Sequence, residues 1–143
     1  MNQHTMAIVP VAHTDYDTTV FEGDQQLFVK QTAMEQLKQD CLKDCSSYEG
    51  RRMAVTFRTG IERKAPIPIN FLLKIYAFPT HSPKNPNCSW LFPAHIHSIT
   101  ANPKDAQQSI ITFKNGRSIV LNTPAIILNK QMHRTTYCIY VFS

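Results

Sequence analysis

The sequence predicts an α+β fold, mostly antiparallel β-sheet with two helices, in a single domain covering residues 1–143. Three observations support this class. Short apolar or alternating segments recur along the chain, one segment has helical periodicity, and Asn115-Gly116 lies between two β-prone runs. The length of 143 residues and the hydrophobic fraction of 43% are sufficient for one hydrophobic core.

The first predicted strands lie near the N-terminus. Residues 6–11 form a short apolar segment, and residues 26–30 alternate between polar and apolar side chains. Both patterns are typical of strands. Residues 15–24 lie between them, and their polar and acidic composition predicts a loop.

The strongest helix signal covers residues 32–48. Thr32 and Glu35 have the spacing of a capping box, and Gly50 is suited to ending the helix in the left-handed conformation. An apolar stripe at helical spacing consists of Met34, Leu37, Cys41, Cys45 and Tyr48. Both cysteines are therefore expected to be buried.

The middle of the chain predicts further strands. Residues 53–58 follow the predicted helix, and residues 71–78 have the composition of a core strand. Residues 79–87 contain three prolines and two asparagines, which predict a loop. Residues 90–99 are expected to be extended.

The C-terminal part predicts a hairpin, a helix and a last apolar run. Residues 110–121 predict a hairpin with a type I′ turn at Asn115-Gly116. Thr123-Pro124 resembles a helix N-cap followed by proline in the first turn, which predicts a second helix over residues 125–133. Residues 137–142, YCIYVF, are strand-like.

The charge distribution indicates a polyanionic partner. The net charge is +5, but residues 1–40 contain two basic and six acidic residues, whereas residues 41–143 contain thirteen basic and four acidic residues. A basic body behind an acidic arm is typical of nucleic-acid-binding proteins. A solvated basic surface without a partner is the alternative.

Signals for an enzyme, a metal site or a membrane protein are weak. The sequence has no Walker loop, no G-x-G-x-x-G and no G-x-S-x-G, and its few carboxylates predict no catalytic pair. Cys88, His95 and His97 match no common zinc spacing, so no metal and no cofactor are expected. No apolar run is long enough to span a membrane, and the N-terminus lacks the basic region of a signal peptide. These features predict a cytoplasmic protein with free thiols.

Eight basic side chains are the candidate DNA-binding residues, because each is placed to reach a phosphate as an exposed cation. They follow the predicted helix, occupy the proline-rich loop or flank the hairpin tip. They are Arg51, Arg52, Arg58, Arg63, Lys64, Lys84, Lys114 and Arg117.

Several short motifs occur in the same order as in one known family. They are the Ser-Ser-Tyr-x-Gly-Arg block at 46–51, Lys-x-Pro-Ile at 64–67, Phe-Pro-Thr at 78–80 with Cys-x-Trp at 88–90, His-Ile-His at 95–97, Thr-Phe-x-Asn-Gly at 112–116 and Arg-Thr at 134–135. Each motif is weak alone, but the series is collinear over about residues 27–136. The chain thereby resembles the competence transcription factor (ComK) family.

The resemblance implies a transcription activator of genes for DNA uptake. Family members bind paired A/T-rich boxes of double-stranded DNA, largely in the minor groove, as dimers that pair into tetramers. An adaptor delivers them to a protease. Minor-groove recognition separates mainly A·T from G·C pairs, so it depends on groove shape and inserted arginines.

The end of the chain departs from the family pattern. Family members continue well beyond the position that matches Thr136, so a C-terminal truncation is expected. The absent region is the one associated with activation, assembly and adaptor contact, which leaves a non-functional remnant as the alternative function. Residues 137–143 are then expected to be an uncovered apolar run that can be deleted without loss of stability.

Overall fold

A computed structural model describes all 143 residues of the chain. It contains nine strands and three α-helices, so the α+β class is consistent with the structure and the prediction of two helices is wrong. The strands are β1 (Thr5–Pro10), β2 (Thr18–Glu22), β3 (Gln25–Val29), β4 (Ile67–Asn70), β5 (Ile75–Pro79), β6 (Trp90–Leu91), β7 (Ile96–Asn102), β8 (Asp105–Phe113) and β9 (Ser118–Leu121). The helices are α1 (Ala33–Lys43), α2 (Tyr48–Thr59) and α3 (Ala125–Phe142).

Two antiparallel sheets organise the domain. The larger has six strands in the order β3-β2-β1-β6-β5-β4, and the smaller has the order β7-β8-β9. Alternate residues of the larger sheet enter different cores: Ile8 packs with α1, whereas its neighbour Ala7 packs with the smaller sheet and α3. The larger sheet is therefore buried on both faces, with α1 on one side and the smaller sheet and α3 on the other.

The helix predicted over residues 32–48 is two helices. The cap at Thr32 is confirmed, because its hydroxyl accepts a hydrogen bond from the Glu35 amide at 3.2 Å. The helix ends early, since Cys45 has a φ of 56° and Ser47 caps α2 by accepting from the amide of Gly50 at 3.0 Å. Cys41 is buried as predicted, but the prediction that Cys45 is buried is wrong.

The acidic stretch predicted as a loop contains β2. Thr18 to Glu22, TTVFE, is rich in β-branched and aromatic side chains, which favour a strand despite the acidic residues around it. A two-residue turn follows, and Gly23 provides the positive φ of 58° that it requires.

The C-terminal run is helical. Leu128, Gln131, Thr135 and Cys138 are the buried residues of α3, and their spacing of three and four residues continues through the run predicted as a strand. Cys138 is fully buried beside Val55 and Tyr76. The expectations of a strand and of an uncovered segment at residues 137–142 are both wrong.

The hairpin of β8 and β9 is confirmed, but its turn differs from the prediction. Gly116 has a φ of 91°, whereas Asn115 has no positive φ, so the turn is not type I′. The Gly116 amide donates to the Phe113 carbonyl at 3.0 Å, and the Phe113 amide donates to the Arg117 carbonyl at 2.8 Å. This pattern is a type I turn followed by a glycine bulge. The N-cap of α3 is Pro124 rather than Thr123.

Candidate nucleic-acid interface

Four of the eight candidate residues form a basic region around the proline-rich loop. Arg52 projects from α2, Arg63 and Lys64 from the connection to β4, and Lys84 from the proline-rich loop. Two further residues that the sequence analysis missed, Lys38 and Arg134, extend it. These six side chains are called the basic strip below, and three local arrangements connect them.

The first arrangement is a groove between the helices and the proline-rich loop. Arg52, Lys84 and Lys38 line this groove, which has a volume of about 550 Å³. Tyr48 forms part of its floor, and Glu49 holds Arg52 through an ion pair of 3.0 Å. The groove therefore presents cations from three separate elements of the chain.

The second arrangement is the proline-rich loop that carries Lys84. The Thr80 amide donates to the Ser89 carbonyl at 2.9 Å, and the Ser89 amide donates to the Thr80 hydroxyl at 2.9 Å. The Cys88 amide donates to Asn85 at 3.0 Å, and its thiol donates to the carbonyl of His81 at 3.4 Å. These hydrogen bonds join the two ends of the loop and so fix the backbone that carries Lys84.

The third arrangement joins the connection before β4 to α3. The Arg134 guanidinium donates to the Arg63 carbonyl at 2.6 Å, and the amide of Gln131 donates to the Lys64 carbonyl at 3.0 Å. Burial and, second, the nearby charge of Lys64 lower the pKa of His81. The same side-chain nitrogen of Gln131 also donates to the Pro79 carbonyl at 2.9 Å, so the backbone of Lys64 lies close to the start of the proline-rich loop. Helix α3 thereby holds the backbone that positions Arg63 and Lys64.

Arg51 differs from the other candidates because it is buried. It is 4% exposed, and its guanidinium donates to the Pro68 carbonyl at 2.6 Å, the Ile69 carbonyl at 2.8 Å and the Asp44 carboxylate at 2.6 Å. It also lies over the ring of Phe71 at 5.2 Å. The expectation of an exposed cation at position 51 is wrong, because the guanidinium donates its hydrogen bonds to acceptors within the protein.

The remaining candidates lie outside the basic strip. Arg58 is exposed but contacts the end of α3, with its guanidinium 4.6 Å from the centre of the Phe142 ring. Lys114 is exposed at the tip of the β8–β9 hairpin. Arg117 is half-buried, and it donates to the carbonyl of Gly23 at 2.9 Å. The structure therefore separates these three residues from the groove.

The histidines considered as metal ligands have other surroundings. The imidazole of His95 contacts the Gln3 carbonyl at 2.6 Å, and His97 is exposed on β7. Cys88 is buried beside Trp90 in the core under α1. No group of three metal-ligating side chains is present, and no helix has the length and hydropathy needed to cross a membrane.

Comparison with known proteins gives one family. A family model described as ComK protein matches residues 1–143. The chain is 27% identical over 141 residues to a protein named competence transcription factor from Bacillus subtilis (strain 168). That alignment covers 96% of this chain and 71% of the relative. No solved structure matches the chain.

Proposed function

The chain belongs to the ComK family, and from this premise we propose that it is a transcription activator that binds double-stranded DNA through the basic strip. The name of the Bacillus subtilis relative, competence transcription factor, supports a role in regulating genes for DNA uptake. The same relationship argues against an enzymatic role. The protein would act at the chromosome in the cytoplasm.

The groove lined by Lys38, Arg52 and Lys84 is the observation that carries this proposal. Cations that stand on separate, well-supported elements keep a fixed spacing, which suits a run of phosphates along a duplex. Each phosphate that the protein neutralises releases condensed counterions, so several such contacts together supply most of the affinity. Arg63, Lys64 and Arg134 extend the same surface beyond the proline-rich loop.

We further propose a preference for paired A/T-rich boxes, read mainly in the minor groove. A/T-rich tracts have a narrow minor groove with enhanced negative potential, which favours inserted arginines over lysines. Arg63 is exposed and Arg52 is half-exposed, so their side chains are suited to this insertion, whereas the guanidinium of Arg134 already donates to the Arg63 carbonyl. Lys38, Lys64 and Lys84 would then bind the flanking phosphates.

Charge reversal on the strip tests the assignment. The double variant Arg52→Glu with Lys84→Glu should weaken binding to an A/T-box duplex by at least about tenfold at moderate salt, because two phosphate contacts become repulsive. Lys104→Glu with Lys114→Glu is the matched control, since it removes the same charge from exposed positions outside the strip. Circular dichroism should show that both variants remain folded.

Two outcomes would contradict this proposal. Weaker binding in the control variant with normal binding in the strip variant would move the interface to the hairpin tip. A folded protein that binds neither A/T-rich nor G/C-rich duplexes at low salt would favour the alternative of a non-functional remnant.

A further inference from the structure

The outer strand β3 leaves one edge of the six-stranded sheet open. β3 pairs with β2 alone, and no bulge interrupts the register from Thr18–Val29 to Glu22–Gln25. Its sequence, QQLFV, contains no charge and no proline, and the side chains of Leu27 and Phe28 are 39% and 54% exposed. Monomeric proteins usually protect such an edge with charges, prolines or bulges.

The opposite edge of the same sheet is protected. Its outer strand β4 contains Pro68, and the pairing of β4 with β5 is irregular after that residue. Arg51 donates to the carbonyls of Pro68 and Ile69 and so occupies acceptors along this strand. At the β3 edge, Arg117 donates to the carbonyl of Gln25 at 3.1 Å, but no hydrogen bond within the chain occupies the amides and carbonyls of Gln26 and Phe28. The middle of this edge is therefore open to a partner strand.

We propose that β3 pairs antiparallel with β3 of a second copy of this chain, about a two-fold axis at Leu27. The two-residue turn after Glu22 makes Glu22 and Gln25 a hydrogen-bonded pair, so Gln26 and Phe28 direct their amides and carbonyls outward. Under the two-fold axis, Gln26 of each copy lies opposite Phe28 of the other and exchanges hydrogen bonds with it. Leu27 faces its own counterpart.

Charge complementarity selects this register. Asp24 and Lys30 flank the strand, both are exposed, and neither has an ion-pair partner within the chain. An axis at Leu27 places Asp24 of one copy opposite Lys30 of the other, and it does so twice. A shift of the axis by one residue in either direction keeps an antiparallel pairing but separates these charges.

The partner is therefore a second copy rather than an unrelated strand. In an antiparallel pair of identical strands, Asp24 of each copy lies opposite Lys30 of the other, so both charges find a partner of opposite sign. This pairing joins two six-stranded sheets into one continuous sheet and covers the exposed faces of Leu27. The pairing does not require DNA, so it can fail while the proposed DNA-binding function holds.

A charge-swap series tests the interface, measured by sedimentation of the full chain without DNA over a range of concentrations. The native protein should form a dimer. Asp24→Lys or Lys30→Asp alone should raise the dimer dissociation constant by about tenfold, because each creates two like-charge pairs. The double variant Asp24→Lys with Lys30→Asp should have a dimer dissociation constant within about threefold of the native value, because both ion pairs form again with the two charges exchanged.

Two more variants complete the test. Gln26→Pro removes an outward amide without breaking the β2–β3 ladder, so it should weaken the dimer. Glu62→Lys is the control, since it changes an exposed acid in the connection to β4. A native monomer at every concentration would overturn the proposal. So would a dimer that tolerates all β3 variants, or a double charge swap that fails to restore association.

Discussion

Arg51 and Arg52 are adjacent in the sequence, but Arg51 is buried whereas Arg52 lines the groove at the surface. Arg51 is directed into the domain and joins the end of α1 to the edge strand β4 through Asp44 and the carbonyl of Pro68. Arg52 is directed outward and lines the groove with Lys84. One arginine therefore stabilises the fold, and the other is available to a ligand.

Replacement of each arginine should separate stability from DNA binding. Arg51→Ala should lower the free energy of unfolding by about 2–4 kcal/mol, because it removes a buried cation and leaves two carbonyls unsatisfied. Arg52→Ala should change it by no more than about 0.5 kcal/mol, because its ion pair is at the surface. Urea denaturation measures both values. Equal losses in the two variants would contradict the different burial of these residues.

The C-terminal turn of α3 should contribute to stability. Ile139 packs with Cys138 against α2, so Ile139→Ala should destabilise the protein by about 1–2 kcal/mol. Tyr140→Ala is the matched control on the same helical turn, because Tyr140 is 78% exposed and should cost little. Deletion of residues 137–143 should lower the free energy of unfolding by more than Ile139→Ala alone. A deletion variant as stable as the native protein would show that this packing contributes nothing.

The four cysteines should differ in reactivity. Cys45 is exposed, whereas Cys41, Cys88 and Cys138 are buried. Burial raises the pKa of each buried thiol, to about 11 for Cys138, so little thiolate forms at neutral pH. A chromogenic disulfide reagent should modify one thiol rapidly in the native protein and four in denaturant. Rapid reaction of two or more native thiols would contradict this assignment.

Tyr48 should make the stability pH-dependent under alkaline conditions. Burial, with the charge of Glu49 second, raises the pKa of Tyr48 from 10.0 to about 12. Between these values the folded protein retains a proton that the unfolded chain releases, so the stability contribution is complete below pH 10 and is lost as the pH rises towards 12. Tyr48→Phe should flatten this loss while preserving the contact with Trp90. Fluorescence of Trp90 during urea denaturation measures the free energy of unfolding of both proteins at each pH. Identical pH profiles for the native protein and Tyr48→Phe would contradict the role of Tyr48.

The sequence correctly predicted those features of the fold that depend only on residues close together in the chain. The Thr32 cap and the β8–β9 hairpin depend on neighbouring residues, and both are confirmed. The break between α1 and α2 was missed because the apolar stripe continues across it. The decisive feature is the cap at Ser47, which competes with continuation of the first helix.

Long-range packing explains the remaining differences. Residues 137–142 are β-prone by composition, but they are helical because Cys138 and Ile139 pack against α2 and β5, which the sequence does not place there. The same limitation affected the candidate interface. Position along the chain could not distinguish Arg51 from Arg52, and Lys38 was missed because its proximity to Lys84 depends on how α1 meets the proline-rich loop.

A salt titration of DNA binding tests the central claim most directly. Binding of the native protein to an A/T-box duplex and to a G/C-rich duplex of equal length should be measured at several salt concentrations. We expect tighter binding to the A/T-box duplex at every concentration. The affinity should also fall steeply with salt, and the logarithmic slope should be smaller by about two units in the Arg52→Glu, Lys84→Glu variant. Equal affinity for both duplexes, or a slope that the variant leaves unchanged, would contradict DNA recognition by the basic strip.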